Sequence, residues 1–259
     1  MKEQKLNAFI TIICIVSLSA VYLFPLIMGR GITPGGINSI HTVKELITNK
    51  LFLLALKNTV LFTLFCIISI NVLGFIFAYL LSEMRHNFLF CALLLPMAIP
   101  VITTSSFWIE LIGKLPQQFM YGNLSLFVVI LIYLWKYVGF SILIYYSGIK
   151  SMPKSYIDAA HLDGASRVKC IRYIILPQLK SFISLNALFA IIHSFKIFRD
   201  IYLLYGNYPP SSLYLIQHFI QNNYTSLNYS YAMTASNIFT VLAFVLLIPL
   251  LIIERKNDI

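Results

Sequence analysis

Six stretches of this chain, each about twenty residues or more, carry almost no charge, and that pattern limits the fold more than any other feature. They are residues 8–27, 54–81, 88–112, 124–149, 179–198 and 232–253. A helix needs a run of that length to cross the hydrocarbon of a bilayer. A membrane barrel would instead show alternating segments of about ten residues, so the reading is all-α: a polytopic membrane protein of about six transmembrane helices. Composition agrees. The chain is 59% hydrophobic and 11% charged, against about 25% charged in a soluble domain. Too few polar side chains remain to cover a soluble surface. That excludes a soluble enzyme, a nucleic-acid reader and a disordered chain, despite the net charge of +10. The surplus of Lys and Arg belongs to loops beside a membrane.

The positive-inside rule sets the orientation. With the N-terminus inside, the inner segments hold Lys2, Lys5, Arg85, Lys150, Lys154, Arg167, Lys169, Arg172, Lys180, Arg255 and Lys256. The outer segments hold Arg30, Lys44, Lys50, Lys114 and Arg199. Both termini are therefore expected in the cytoplasm. The first run is longer than the apolar core of a signal peptide and reads as a retained helix. Pro96 and Pro100 are expected to kink the third span, which neighbouring helices can tolerate in a membrane. The chain divides into residues 1–53, an N-terminal transmembrane helix with an outer loop; 54–253, the membrane core; and 254–259, a cytoplasmic tail. Cys14, Cys66, Cys91 and Cys170 form no metal-site spacing and read as buried or lipid-facing thiols.

The most informative stretch is the basic loop 151–178 between spans four and five, SMPKSYIDAAHLDGASRVKCIRYIILPQ. Pro153 ends the preceding helix. Ser155, with Asp158 three residues on, reads as a capping box for a new one. Ile157, His161, Gly164, Val168, Ile171 and Ile175 recur at helical steps and predict one apolar face. Gly164 marks the turn between two pieces. Such a helix can lie on anionic lipid or dock a soluble partner. The carboxylates in and near its first turn favour a partner.

Asp158-Ala159-Ala160, three residues, Gly164, nine residues, Ile174, one residue, Leu176-Pro177 resembles the cytoplasmic signature of the permeases of binding-protein-dependent ABC importers. That signature begins Glu-Ala-Ala, so Asp158 is the one departure. The resemblance implies a coupling helix, inserted in a groove of a separate ATPase, with Asp158, Ala159, Ala160, Gly164, Ile174, Leu176 and Pro177 as the coupling residues. A second likeness, over roughly residues 50–253, points to the first permease subunit of sugar and glycerol-phosphate importers. It rests on Leu134-Trp135-Lys136, Gly139-Phe140, the run SFKIFRDIYLL from Ser194 to Leu204, and Tyr231-Ala232. The loop Gly206-Asn207-Tyr208-Pro209-Pro210 departs from the Gly-Gly-Pro of that branch. The resemblance implies a bacterial inner-membrane location, a second permease subunit in a heterodimer, cytoplasmic ATPase subunits and an extracytoplasmic solute-binding protein.

No GxxxxGK[ST] motif occurs, so no cofactor is expected in this chain and ATP would bind the partner. Charged or polar groups at membrane depth are candidates for the solute path. These are Tyr133, Lys136, Tyr137 and Asn186. Lys136 either meets solute or pairs with a carbonyl or a group of the partner permease. Tyr145 and Tyr146 read as an interfacial aromatic belt. Glu110 and Lys114 read as a local pair, and His193, Lys196, Arg199 and Asp200 as an interfacial cluster at the end of span five. The loop 201–229 either touches the binding protein or packs on its own helices. An ion-coupled transporter would need carboxylates within the spans, which are nearly absent. A permease for amino acids, polyamines or phosphate is the nearer alternative. Catalysis by Asp158, His161 and Asp163 is the weakest reading, because the coupling signature already accounts for them.

Overall fold

The computed structural model describes residues 40–83, 88–122 and 124–257. The expected first span, 8–27, lies outside them. Among the described residues every regular element is a helix. A short α1 (Ile40–Thr48) leads into α2 (Lys50–Ser82), which Asn49 caps by accepting the Leu51 and Phe52 N–H groups at 2.9 and 3.1 Å. Then come α3 (Phe88–Ala98), α4 (Val101–Gly113), α5 (Gln117–Tyr121) and α6 (Ser125–Ser151). The loop segment holds α7 (Lys154–Leu162), α8 (Arg167–Cys170), a π-turn (Ile171–Ile175) and α9 (Leu176–Gln178). The chain finishes with α10 (Lys180–Lys196), α11 (Phe198–Tyr205), α12 (Ile216–Thr225) and α13 (Tyr229–Asn257).

Among the described residues four helical stretches are long and apolar enough to cross a membrane: Lys50–Ser82, Ser125–Ser151, Lys180–Tyr205 and Tyr229–Leu250. The pair α3–α4 makes a fifth if counted as one span. Two differences from the sequence reading have clear causes. The expected third span is a break rather than a kink, because α3 and α4 meet at 103°. Pro96 lies inside α3, and Pro100 sits in extended backbone (φ −55, ψ 142) as the N-cap of α4, so the turn of helix between them cannot continue. Span five, expected to stop at Phe198, instead runs on through Arg199 and Asp200 to Tyr205. Asp200, one of the two charges that ended the apolar run in sequence, is neutralised in the fold, as described below.

The core is the contact of α2 with α6, closed by α10 against both. α2 buries Phe52, Ala55, Thr59, Phe62, Cys66, Ile70, Gly74 and Ala78, one face at three- and four-residue steps. Its other face is equally apolar but exposed, with Leu61, Leu64, Ile68, Val72 and Ile76. A helix apolar all round is suited to a lipid environment. α13 packs against α12 and α10, and most of its surface is otherwise open. The 201–229 loop packs on its own helices: α12 wedges between α2 and α13, burying Ile216, His218, Phe219 and Asn222. Asn58 of α2 anchors it by donating to the Ser211 and Tyr214 carbonyls at 2.7 and 3.1 Å.

Gly139 sets the approach of α3 to α6. A Cβ there would stand 1.8 Å from the Leu93 carbonyl oxygen. Gly139→Ala is therefore expected to lower the unfolding temperature in detergent, at a cost of about 1–3 kcal/mol from overpacking. Gly113→Ala, where a Cβ meets nothing within 4 Å, serves as the control and leaves the midpoint unchanged. Equal midpoints for the two variants would refute the close approach.

Candidate functional site

The segment after α6 is built to project. Met152 turns the chain out (ψ 137) and Pro153 precedes α7. α7 begins at Lys154, so Ser155 lies inside its first turn rather than capping it. Gly164 closes the helix in the left-handed region (φ 75). The Ala165 N–H returns to the Ala160 carbonyl at 2.9 Å, as in a Schellman end. Ser166 is extended, and α8 starts back toward the bundle. The π-turn then precedes Pro177, whose missing N–H cannot return to the carbonyl of Tyr173; a widened turn absorbs that mismatch.

One side of the segment is anchored. Cys170, Ile175 and Leu179 are buried, and Ile157 and Ile171 pack on the cluster of Ala78, Ile142, Tyr145 and Ile149. The other side is open. Leu162 is 89% exposed, Val168 73% and Tyr173 68%. Val168 was expected on one apolar face with Ile157, Ile171 and Ile175; the Gly164 turn breaks that stripe, and Val168 points away from the other three. Asp158, Ala159 and Gly164 are exposed, while Ala160, Ile174 and Leu176 are half-buried. Ala159, Ala160, Ile174 and Pro177, far apart in sequence, line one concavity of about 410 Å³ together with Tyr156, Asp163 and Tyr173. The side chain of His161 lies outside the described residues.

The four path candidates all fall inside the bundle. Tyr133 is fully buried and donates to the Ala190 carbonyl at 3.2 Å. Lys136 forms a buried ion pair with Asp200 of α11, 2.8 Å apart, with 7% and 4% of the two side chains exposed. Tyr137 stacks on His193 at 4.2 Å. Asn186 donates to Ser141 Oγ at 2.8 Å and to Asn71 Oδ1 at 3.2 Å. Ser141 donates to the Ile70 carbonyl at 3.0 Å, and Tyr145 to Asn71 Oδ1. Tyr145 therefore belongs to an interhelical network and not to an aromatic belt. Thr63 and Ser194 share a further bond of 3.0 Å between α2 and α10. Sequence reasoning missed Asp200 as the counter-charge. The signal was present, since a lysine in an apolar span requires an anion and few exist to supply it. Lys114 and Glu110 form the expected local pair at 3.0 Å, fully at the surface. Among the described residues no three His, Cys, Asp or Glu side chains gather as a metal site.

The structure is thus a helical bundle with membrane-crossing lengths and a projecting, partly apolar loop. The chain belongs to the family of binding-protein-dependent transport system inner membrane components, which matches residues 70–256. A probable ABC transporter permease protein of Pyrococcus horikoshii is 26% identical, over 88% of this chain and 86% of its own. The trehalose/maltose transport system permease protein MalF of Thermococcus litoralis is 26% identical, over 76% and 72%. The xylose/arabinose import permease protein XacH of Haloferax volcanii is 29% identical, over 64% and 58%. A chain in the crystal structure of a bacterial ABC transporter that imports the acidic polysaccharide alginate shares the fold, with a TM-score of 0.79 over 98% of this chain and 96% of that one, at 17% identity.

Two measurements check this geometry. Lys136→Ala leaves Asp200 buried and unpaired, which is expected to cost about 3–5 kcal/mol. It should sharply lower the yield of folded protein, and Lys136→Met with Asp200→Leu should recover most of it. No recovery in the double variant would show that the two residues act separately. His218, outside the spanning helices, accepts the Leu215 N–H on Nδ1 at 3.2 Å, and burial holds its pKa down from 6.5 to about 4. The neutral form is the folded one, so its contribution is complete above pH 6.5 and is lost as pH falls toward 4. His218→Asn should flatten the dependence of the melting midpoint on pH in that window.

Proposed function

We propose that this chain is one of two membrane subunits of an ATP-driven sugar importer, with the 151–178 segment in the cytoplasm docked on a separate ATPase. The observation that carries the reading is the projecting turn itself: small Ala159 and Ala160, the left-handed Gly164, and the uncovered Leu162 and Val168. A loop that merely joined two helices would not hold so much apolar surface away from both membrane core and neighbouring helices. The sugar class is supported by the named roles of the relatives in xylose/arabinose and trehalose/maltose transport. An extracytoplasmic solute-binding protein is the natural source of solute. The related alginate transporter has been crystallised with its oligosaccharide-bound periplasmic protein. In this reading both termini face the cytoplasm, ATP is bound only by the partner ATPase, and the second permease covers the open apolar faces of α2 and α13. Tyr133, Lys136, Tyr137 and Asn186 act from behind the path. They hold the spacing of α2, α6, α10 and α11, and the second permease completes the surface that solute meets.

The test is co-expression with the genomic neighbours, affinity purification through this chain, and sugar uptake by reconstituted vesicles. The native chain should bring down an ATPase and support ATP-dependent uptake. Gly164 is exposed and a Cβ there meets nothing within 4 Å, so the expected cost of Gly164→Trp is mainly backbone strain of about 1–2 kcal/mol at the turn. The variant should therefore keep the bundle intact and lose the ATPase. Asp158→Lys should weaken the same contact. Uptake by the chain without ATP would overturn the reading.

A further inference from the structure

The last turn of α2 carries a carboxylate where helix electrostatics favour a cation. Glu83 is the C-cap residue of α2, facing the negative end of the helix dipole. Its carboxylate lies 3.5 Å from Arg167 Nη1, the first residue of α8. One residue earlier, the Ser82 carbonyl, an acceptor left over at the helix end, takes a 2.8 Å hydrogen bond from Lys150 Nζ. Lys150 precedes α7 and Arg167 follows the Gly164 turn, so the two cations bracket the projecting segment and both grip the same helix end. α7 itself touches the membrane helices chiefly through Ile157. α2, by contrast, packs on α6, α10 and α12 and holds Thr63, Asn71 and Asn58 in the polar bonds that set the bundle.

We propose that Glu83 and Arg167 form a transmission strut: the ion pair, backed by Lys150, makes α2 follow the coupling segment when the ATPase moves it. The inference rests on the proposed ATPase coupling. Glu83 and Arg167 are positioning residues, because they act on the solute path only through α2. Both are substantially exposed (74% and 49% of the Arg and Glu side chains). Their contribution is therefore small for stability and screened by salt.

The experiment uses the whole transporter, with partner permease, ATPase and binding protein, in vesicles. Solute moved per ATP hydrolysed is compared among the native complex, Glu83→Arg, Arg167→Glu and the double swap. Each single variant should still co-purify the ATPase at native stoichiometry but lose coupling, by up to about fivefold for an exposed pair. The double swap should regain most of it, and Arg at position 83 also suits the helix dipole. Raising the salt concentration should lower the native coupling ratio toward that of the Glu83→Gln variant and leave Glu83→Gln itself unchanged. Native coupling in both single variants overturns the strut. So does a double swap no better than the singles, which would show two separate roles. Loss of the ATPase from Arg167→Glu alone would place Arg167 in the docking face instead and also overturns it. If the native complex holds no ATPase, the failure lies with the functional reading and not with the strut.

Discussion

Polar side chains, not apolar ones, decide how α2, α6 and α10 stand together. Between helices in hydrocarbon there is no water to expel, so close packing and interhelical hydrogen bonds must hold the contact. Here that burden falls on Asn71, Ser141, Tyr145 and Asn186 at one level and on Thr63 with Ser194 at another. The Lys136–Asp200 pair fastens α6 to α11 and allows a charged turn to continue the fifth span. Each bond needs its partner at a fixed height along the helix, so register is specified more sharply than apolar packing alone would do.

The two ends of the bundle differ in construction. At one end α12 is folded back and buried, with His218 and Asn222 inside and Asn58 holding its entrance. At the other, the 151–178 segment stands off, anchored by Ile175 and Leu179 and open along Leu162, Val168 and Tyr173. The buried end gives a rigid rim, and the open end gives a surface that needs something to cover it. Membership in the importer family gives that asymmetry a use, since such a component must work with separate proteins.

Much of this was legible in the sequence. Length and charge revealed the helical class and four of the five spans from 54 onward, and Gly164 marked the turn. The motif residues Ala159, Ala160, Ile174 and Pro177 do converge on one surface. What could not be read was pairing between distant positions. Asp200 looked like an interfacial charge because its partner lies 64 residues away. Tyr145 looked like a belt residue because nothing local marks Asn71 as its acceptor. The 103° break at Pro100 was misjudged because prolines reveal that a helix is weakened, not whether neighbours hold it straight. Val168 followed helical spacing on paper, but the glycine turn resets the phase.

The length of α2 ties the molecule to its solvent. Thirty-three residues at 1.5 Å each span about 50 Å, against about 30 Å of hydrocarbon. The surplus must be taken up by tilt or by standing proud of the headgroups. Glu83 caps one end of that helix, so the tilt or overhang that takes up the surplus also shifts Glu83 relative to the plane of the lipids. A thicker membrane would draw the end inward and a thinner one would release it. The acyl-chain length of the host lipid thereby becomes a mechanical parameter of the transporter, acting on the same helix end that Lys150 and Arg167 hold.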